Sequence, residues 1–147
     1  MKQANTTIQV KQVVITSSGA CLFLGNSQKI FMIYVDIIMG EQIRFLFNKK
    51  TQSRPLTSDF IRYLFLSFDI SIQTLVLYHA DKGTFYAKAV CRQAGPVTRI
   101  VELDIRPSDA IMLSLSFNKP LTIDTQLFES LSDASELLEN FSKTEQS

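Results

Sequence analysis

Twice in this chain an arginine precedes a proline, and each time a hydroxyl, an aspartate and a strongly apolar run follow. The first stretch is Arg54-Pro55-Leu56-Thr57-Ser58-Asp59, leading into Phe60-Ile61-Arg62-Tyr63-Leu64-Phe65-Leu66. The second, Arg106-Pro107-Ser108-Asp109, leads into Ala110-Ile111-Met112-Leu113-Ser114-Leu115. Proline holds the preceding residue extended and is itself tolerated in a first helical turn. Hydroxyls and carboxylates there accept hydrogen bonds from free N–H groups and suit the positive end of the helix dipole. Each stretch therefore reads as a strand or loop turning sharply into a buried helix, with a guanidinium and a carboxylate close together at the turn.

The strand entering the second turn adds more acid. By period two, Glu102, Asp104 and Arg106 share one face, and Asp109 follows at the helix start. If the first turn folds against the second, Arg54 and Asp59 join that group. The structural alternative is that Asp59 and Asp109 cap their helices while Arg54 or Arg106 pairs with Asp104 to tie strand to turn. No His-Glu-x-x-His pattern, phosphate-binding glycine loop or zinc-ligand spacing accompanies them. His79, the only histidine, sits at a hairpin rim with no nucleophile beside it in sequence. Ser108 has no adjacent base, and capping suffices to explain it.

The elements that must position these residues follow from periodicity and turn chemistry. Strands are predicted over 6–16, 20–24 and 30–35, separated by Ser17-Ser18-Gly19 and Gly25-Asn26-Ser27. On the first, Ile8, Val10, Gln12 and Val14 point one way. Helical spacing begins after Asp36, a candidate N-cap, and a second helix opens at Thr57 beyond a polar loop over 48–53. Residues 71–79 and 83–92 form a hairpin around Ala80-Asp81-Lys82-Gly83. A strand over 97–105 leads to the helix after Pro107, which Pro120 stops. Leu121 to Asp124 reads as an edge strand and 125–131 as a short helix. The result is an α+β domain over 1–131, a mixed, largely antiparallel sheet with short helices on it. Residues 132–147 read as an acidic, weakly amphipathic and loosely attached tail.

With 147 residues, 46% apolar and 20% charged, the chain is long enough for one packed core. Eleven phenylalanines and five glycines suggest dense packing with few tight loops. The formal net charge of +1 gives no global basic field, so contact with nucleic acid must come from a local patch. Lys49, Lys50 and Arg54, flanked by Arg44 and Arg62, form the one candidate. Cys21 and Cys91 lie in separate apolar runs, as buried free thiols of a reducing cytoplasm would. No run approaches membrane-spanning length, and the N-terminus has no apolar signal core.

Taken in order, the first Arg-Pro-Leu-Thr-Ser-Asp box, Lys82-Gly83-Thr84-Phe85-Tyr86-Ala87, and Glu102-Leu103-Asp104-Ile105-Arg106-Pro107-Ser108-Asp109-Ala110-Ile111 resemble the bifunctional nuclease (BFN) domain family. The resemblance covers about residues 8 to 128, and the second box is its most specific part. Ser58 stands where the family's first box usually has histidine. The resemblance implies an α+β fold assembled as a homo-oligomer, here a homodimer, and DNase and RNase activity without sequence preference. It also places Glu41 at the family's usual acidic position on the first helix.

Hydrolysis of a phosphodiester needs an activated water and stabilisation of charge on the phosphoryl oxygens. In that scheme Glu41, Asp104 and Asp109 are the candidate catalytic residues and the candidate ligands of a divalent cation, Mg²⁺ or Mn²⁺. Arg54 and Arg106 are the candidate phosphate clamps, and the partner is RNA or DNA. The rival expectation is a non-catalytic, homo-oligomeric interaction module in which the same residues are an internal staple. Exposure separates the two: catalytic carboxylates line an open cleft, whereas a staple has every oxygen hydrogen-bonded.

Overall fold

The computed structural model describes residues 4–146. Three antiparallel strands come first: β1 (Asn5–Ile15), β2 (Ala20–Gly25) and β3 (Ile30–Val35). Helix α1 (Ile37–Phe47) follows at once, and its Asp36 cap is as expected, the carboxylate accepting from Met39 N at 2.9 Å. Helix α2 (Thr57–Ser67) runs into the hairpin β4 (Ile70–Asp81) and β5 (Thr84–Gln93). Strand β6 (Arg99–Ile105) then delivers the chain to α3 (Pro107–Phe117), β7 (Leu121–Asp124), α4 (Thr125–Ser130) and α5 (Ser135–Glu145).

The strands form one seven-stranded sheet in the order β3-β2-β1-β7-β4-β5-β6. Every neighbouring pair is antiparallel except β4 with β7. The α+β class expected from the sequence is therefore what the chain adopts. Strand β7 is not at an edge, however. It sits in the middle of the sheet, antiparallel to β1 and parallel to β4. Its Leu121 and Ile123 are fully enclosed.

The main core lies between one face of the sheet and the helices. Ile8, Leu22, Leu24, Ile33, Leu75, Leu77, Ala87 and Ala89 meet Ile43 of α1 and Ala110, Ile111 and Leu113 of α3 there. The Phe31 ring of β3 stacks on Phe85 of β5, centroids 5.8 Å apart, although four strands separate them in the sheet order. The sheet must therefore curl around this core. A bulge at Lys11 shifts the β1–β2 register between Val10 and Gln12. Ile8 and Val13 consequently share the main core, and Val14 turns to the other side. That breaks the strict alternation expected along β1.

On that other side Val14, Cys21 and Phe23 form a second, smaller cluster with Ala134, Leu138 and Phe141. The Phe141 ring meets Phe23 edge-on at 6.1 Å. The acidic C-terminal segment is thus a packed helix that covers the outer face of β1–β3. Its amphipathic stripe was legible, but its docking depended on β2 carrying apolar residues on both faces.

Candidate functional site

The second Arg-Pro turn has the geometry that its residues dictate. Arg106 is extended, with φ −72° and ψ 149°, and Pro107 occupies the first turn of α3. From there the Arg106 side chain folds back over the turn to Asp109. Nε donates to Oδ2 at 3.0 Å and an Nη2 hydrogen to Oδ1 at 3.2 Å. Both Asp109 oxygens are taken by this one guanidinium. The hydrogen bonds and charge of Asp109, with a further contribution from Asp36 at the start of α1, raise the Arg106 pKa and keep it charged. Arg106 pairs with Asp109, not with Asp104.

Asp104 is left open. It lies on the exposed face of β6, and its nearest polar contact is the Tyr78 hydroxyl, 3.5 Å from Oδ1. Tyr78 sits at a β4 bulge where the register shifts between Leu77 and His79, and its ring faces β5 and β6. Partial desolvation and the Asp104 carboxylate push the Tyr78 phenol above its ordinary range, so it stays protonated at neutral pH and can donate. Glu102, two residues earlier on the same face, is engaged by Lys88 Nζ at 3.3 Å. Asp104, Arg106 and Asp109 line one cleft together with Phe85, Tyr86, Ile105 and Pro107.

Tyr86 and Phe85 were not among the residues expected at the site. A signal for them existed in the hairpin register. Ala87 pairs with Ile105, so Tyr86 stands next to Arg106 across the β5–β6 ladder.

The first Arg-Pro turn opens into different clefts. Arg54 lines one with Lys50, Asp59, Arg62 and Tyr63, and Glu41 lines a neighbour with Arg44, Lys50 and Gln52. Asp59 completes a cap, its Oδ2 accepting from Leu56 N at 2.8 Å, while Oδ1 meets Arg62 at 3.3 Å. Glu41 is paired with Arg44 at 2.6 Å one helical turn on. Arg54 is exposed and has no ion-pair partner among the described residues. The two turns therefore resemble each other locally without sharing a cavity.

Among the described residues no three His, Cys, Asp or Glu side chains come close enough to hold a metal ion together. Glu41 lines a different cleft from Asp104 and Asp109, and Glu41 and Asp109 are each held by an arginine. Ser58 and Ser108 are both buried in the first turns of their helices. The position usually occupied by histidine in the first box is thus enclosed here. His79 is exposed, its ring tilted against Tyr86 at a centroid distance of 5.5 Å.

A curled mixed sheet with an open aspartate and a paired arginine at a strand-to-helix turn defines an α+β domain with an open cleft at the β6–α3 turn. The family model for the bifunctional nuclease domain matches residues 20–136, and the chain belongs to that family. No curated protein matches the chain. No helix among the described residues is long and apolar enough to cross a membrane.

Proposed function

We propose that this protein is a sequence-nonspecific nuclease that hydrolyses phosphodiester bonds of RNA or DNA in the cleft at the β6–α3 turn. Family membership supports the reaction class. One observation supports the location: the Asp104 carboxylate is open to solvent in the same cleft where Arg106 is paired with Asp109 through two hydrogen bonds. A staple would have buried and paired that aspartate.

In this reading the remaining N–H groups of Arg106 take the phosphoryl oxygens, and Asp109 fixes the guanidinium for that task. Asp104 accepts the proton of the attacking water, and the protonated Tyr78 hydroxyl orients the carboxylate. The phosphorus–oxygen bond to the leaving oxygen breaks, and that oxygen takes a proton from solvent. The Tyr86 ring at the cleft edge offers a stacking surface for a base, which suits a substrate read by shape and not by sequence. Lys50 and Arg54 at the first turn supply further phosphate contacts along the strand.

One free carboxylate fits a mostly hydrated cation of the Mg²⁺ type, which binds through one or two carboxylates plus substrate phosphate. Asp104 would hold it, and its chemistry there is to lower the pKa of a bound water and neutralise phosphoryl charge. Glu41 and Asp109, engaged by Arg44 and Arg106, would have to leave those partners to join it. We further place the protein in the cytoplasm as a homodimer. Two buried free thiols, Cys21 and Cys91, support the first, and an uncovered apolar surface supports the second.

The test is cleavage of labelled single- and double-stranded RNA and DNA across size-exclusion fractions, with Mg²⁺, Mn²⁺ or EDTA. Activity that follows the protein peak is expected. Activity that elutes apart from it would overturn the assignment.

A further inference from the structure

We infer that the substrate of the β6–α3 cleft is single-stranded nucleic acid, held through an unstacked base laid on the Tyr86 ring. The inference rests on the nuclease reading above and names its substrate class.

Period two and the β5–β6 register assign the side chains. Ala87, Ala89 and Cys91 of β5 enter the main core, so Tyr86, Lys88 and Arg92 stand on the opposite face. Lys88 pairs with Asp104, Val90 with Glu102 and Arg92 with Ile100, which puts these β6 residues on that same face. Over β1–β3 this outer face is covered by α5. Over β5 and β6 it is open, with Tyr86 39% and Ile100 68% exposed.

Three rings gather where this face meets the cleft. The Tyr86 centroid lies 5.5 Å from His79 and 6.4 Å from Tyr78, with interplanar angles of 36° and 48°. The register shift between Leu77 and His79 brings these two consecutive β4 residues to one neighbour. Lys88 Nζ sits 5.5 Å from the centre of the Tyr78 ring. Tyr86 is thus braced by other rings while part of its surface stays open, and a braced ring loses little freedom on meeting a base. Because Tyr86 stands across the ladder from Arg106 in the same cleft, a phosphate at that guanidinium leaves the adjoining base beside the ring.

Charge decides against a duplex. Lys88 meets Glu102 at 3.3 Å and Arg106 meets Asp109 at 3.0 Å, so two cations of this face are already paired. Asp104 adds an exposed acid beside them, and Arg92 has no ion-pair partner among the described residues. A duplex offers two rows of phosphate and only the edges of its bases, so it is bound chiefly through free cations. This face has few. A single strand offers base faces, and every base has one to stack on an aromatic ring.

The test is fluorescence anisotropy in EDTA with three labelled probes: an oligodeoxynucleotide, the same strand in a duplex, and a strand of abasic units that keeps every phosphate. Wild type is expected to bind the single strand about tenfold or more tighter than either other probe, the scale of one base–aromatic stack. Tyr86→Ala, shown to melt at the wild-type temperature, is expected to lose about that factor on the single strand, and Tyr86→Phe, which keeps the ring, less than about threefold. The abasic probe carries the comparison on wild-type protein should Tyr86→Ala misfold. Equal binding of all three probes overturns the inference, and the nuclease reading stands if the same protein cleaves them in Mg²⁺. Base-dependent binding that folded Tyr86→Ala retains in full overturns the place of the stack. Tyr86-dependent binding of the single strand with no cleavage in Mg²⁺ or Mn²⁺ overturns the nuclease reading and upholds the surface.

Discussion

Arg106 and Asp109 grip each other through two hydrogen bonds, Nε to Oδ2 at 3.0 Å and Nη2 to Oδ1 at 3.2 Å. The arginine side chain is 70% exposed and the aspartate 27%, so this pair contributes little to folding. Its consequence is orientation. A guanidinium free to sample many rotamers loses entropy on meeting a phosphate, whereas one already held does not.

Asp109→Asn should therefore separate activity from stability. Loss of the clamp is expected to lower kcat/KM for nucleic-acid cleavage by about tenfold to a hundredfold, in line with a misplaced positioning contact. The unfolding midpoint should move by less than about 1 kcal/mol, since an exposed i,i+3 pair is worth no more. Arg106→Lys should be nearly as damaging, because an ammonium cannot make the two-point contact. Parallel kinetics and urea titrations check both halves.

Gly40 lies where α1 crosses β2. A methyl added there would overlap the Ala20 Cβ, while at Gly95 the nearest atom stands 3.7 Å away. Gly40→Ala is accordingly predicted to destabilise the fold by about 1–3 kcal/mol despite the better helix propensity of alanine. Gly95→Ala should be near neutral. Denaturant midpoints of the two variants decide this.

The attachment of α5 should weaken in acid. Asp133 accepts from Ser135 Oγ at 2.6 Å, Ser135 N at 3.1 Å and Ile30 N at 3.3 Å. These bonds, those of Ser135 first, depress its pKa below the ordinary 3.8. A depressed carboxylate contributes stability that is present above its unfolded pKa and lost as pH falls through the lower folded value. The loss thus falls below about pH 4, and nothing changes between pH 5 and 8. Protection of the 135–145 amides, taken relative to the intrinsic exchange rate at each pH, should fall over that acid window in wild type. In Asp133→Asn the same amides should exchange faster already at neutral pH, with a flatter acid response.

Local signals carried much of the fold. Asp36, Pro107 and the Ala80-Asp81-Lys82-Gly83 turn each mark an element boundary by backbone chemistry confined to a few residues. The structure puts boundaries at the first two and narrows the hairpin turn to Lys82-Gly83, with Ala80 and Asp81 in β4. What escaped was non-local. The central place of β7 depends on a parallel pairing with β4, more than forty residues away, which four residues of sequence do not encode. The Lys11 bulge turned Val13 and Val14 to faces that strict alternation had exchanged.

The candidate site divides the same way. The turn chemistry of Arg106 and Asp109 was readable because four residues contain it. Whether the Arg54 turn joins it depends on how α2 and α3 pack, and they open into separate clefts. Tyr86 reaches the cleft through strand register, and Tyr78 reaches Asp104 through a bulge, neither of which a motif displays.

The central claim is that Asp104 is the base of a phosphodiesterase. Its most direct test is cleavage of a labelled RNA by size-exclusion-purified Asp104→Asn beside wild type, with both proteins melting at the same temperature. Asparagine keeps the shape and cannot take the proton. The account predicts a loss of about a hundredfold or more in rate, with RNA binding in EDTA retained. A folded Asp104→Asn protein that cleaves at the wild-type rate would contradict it.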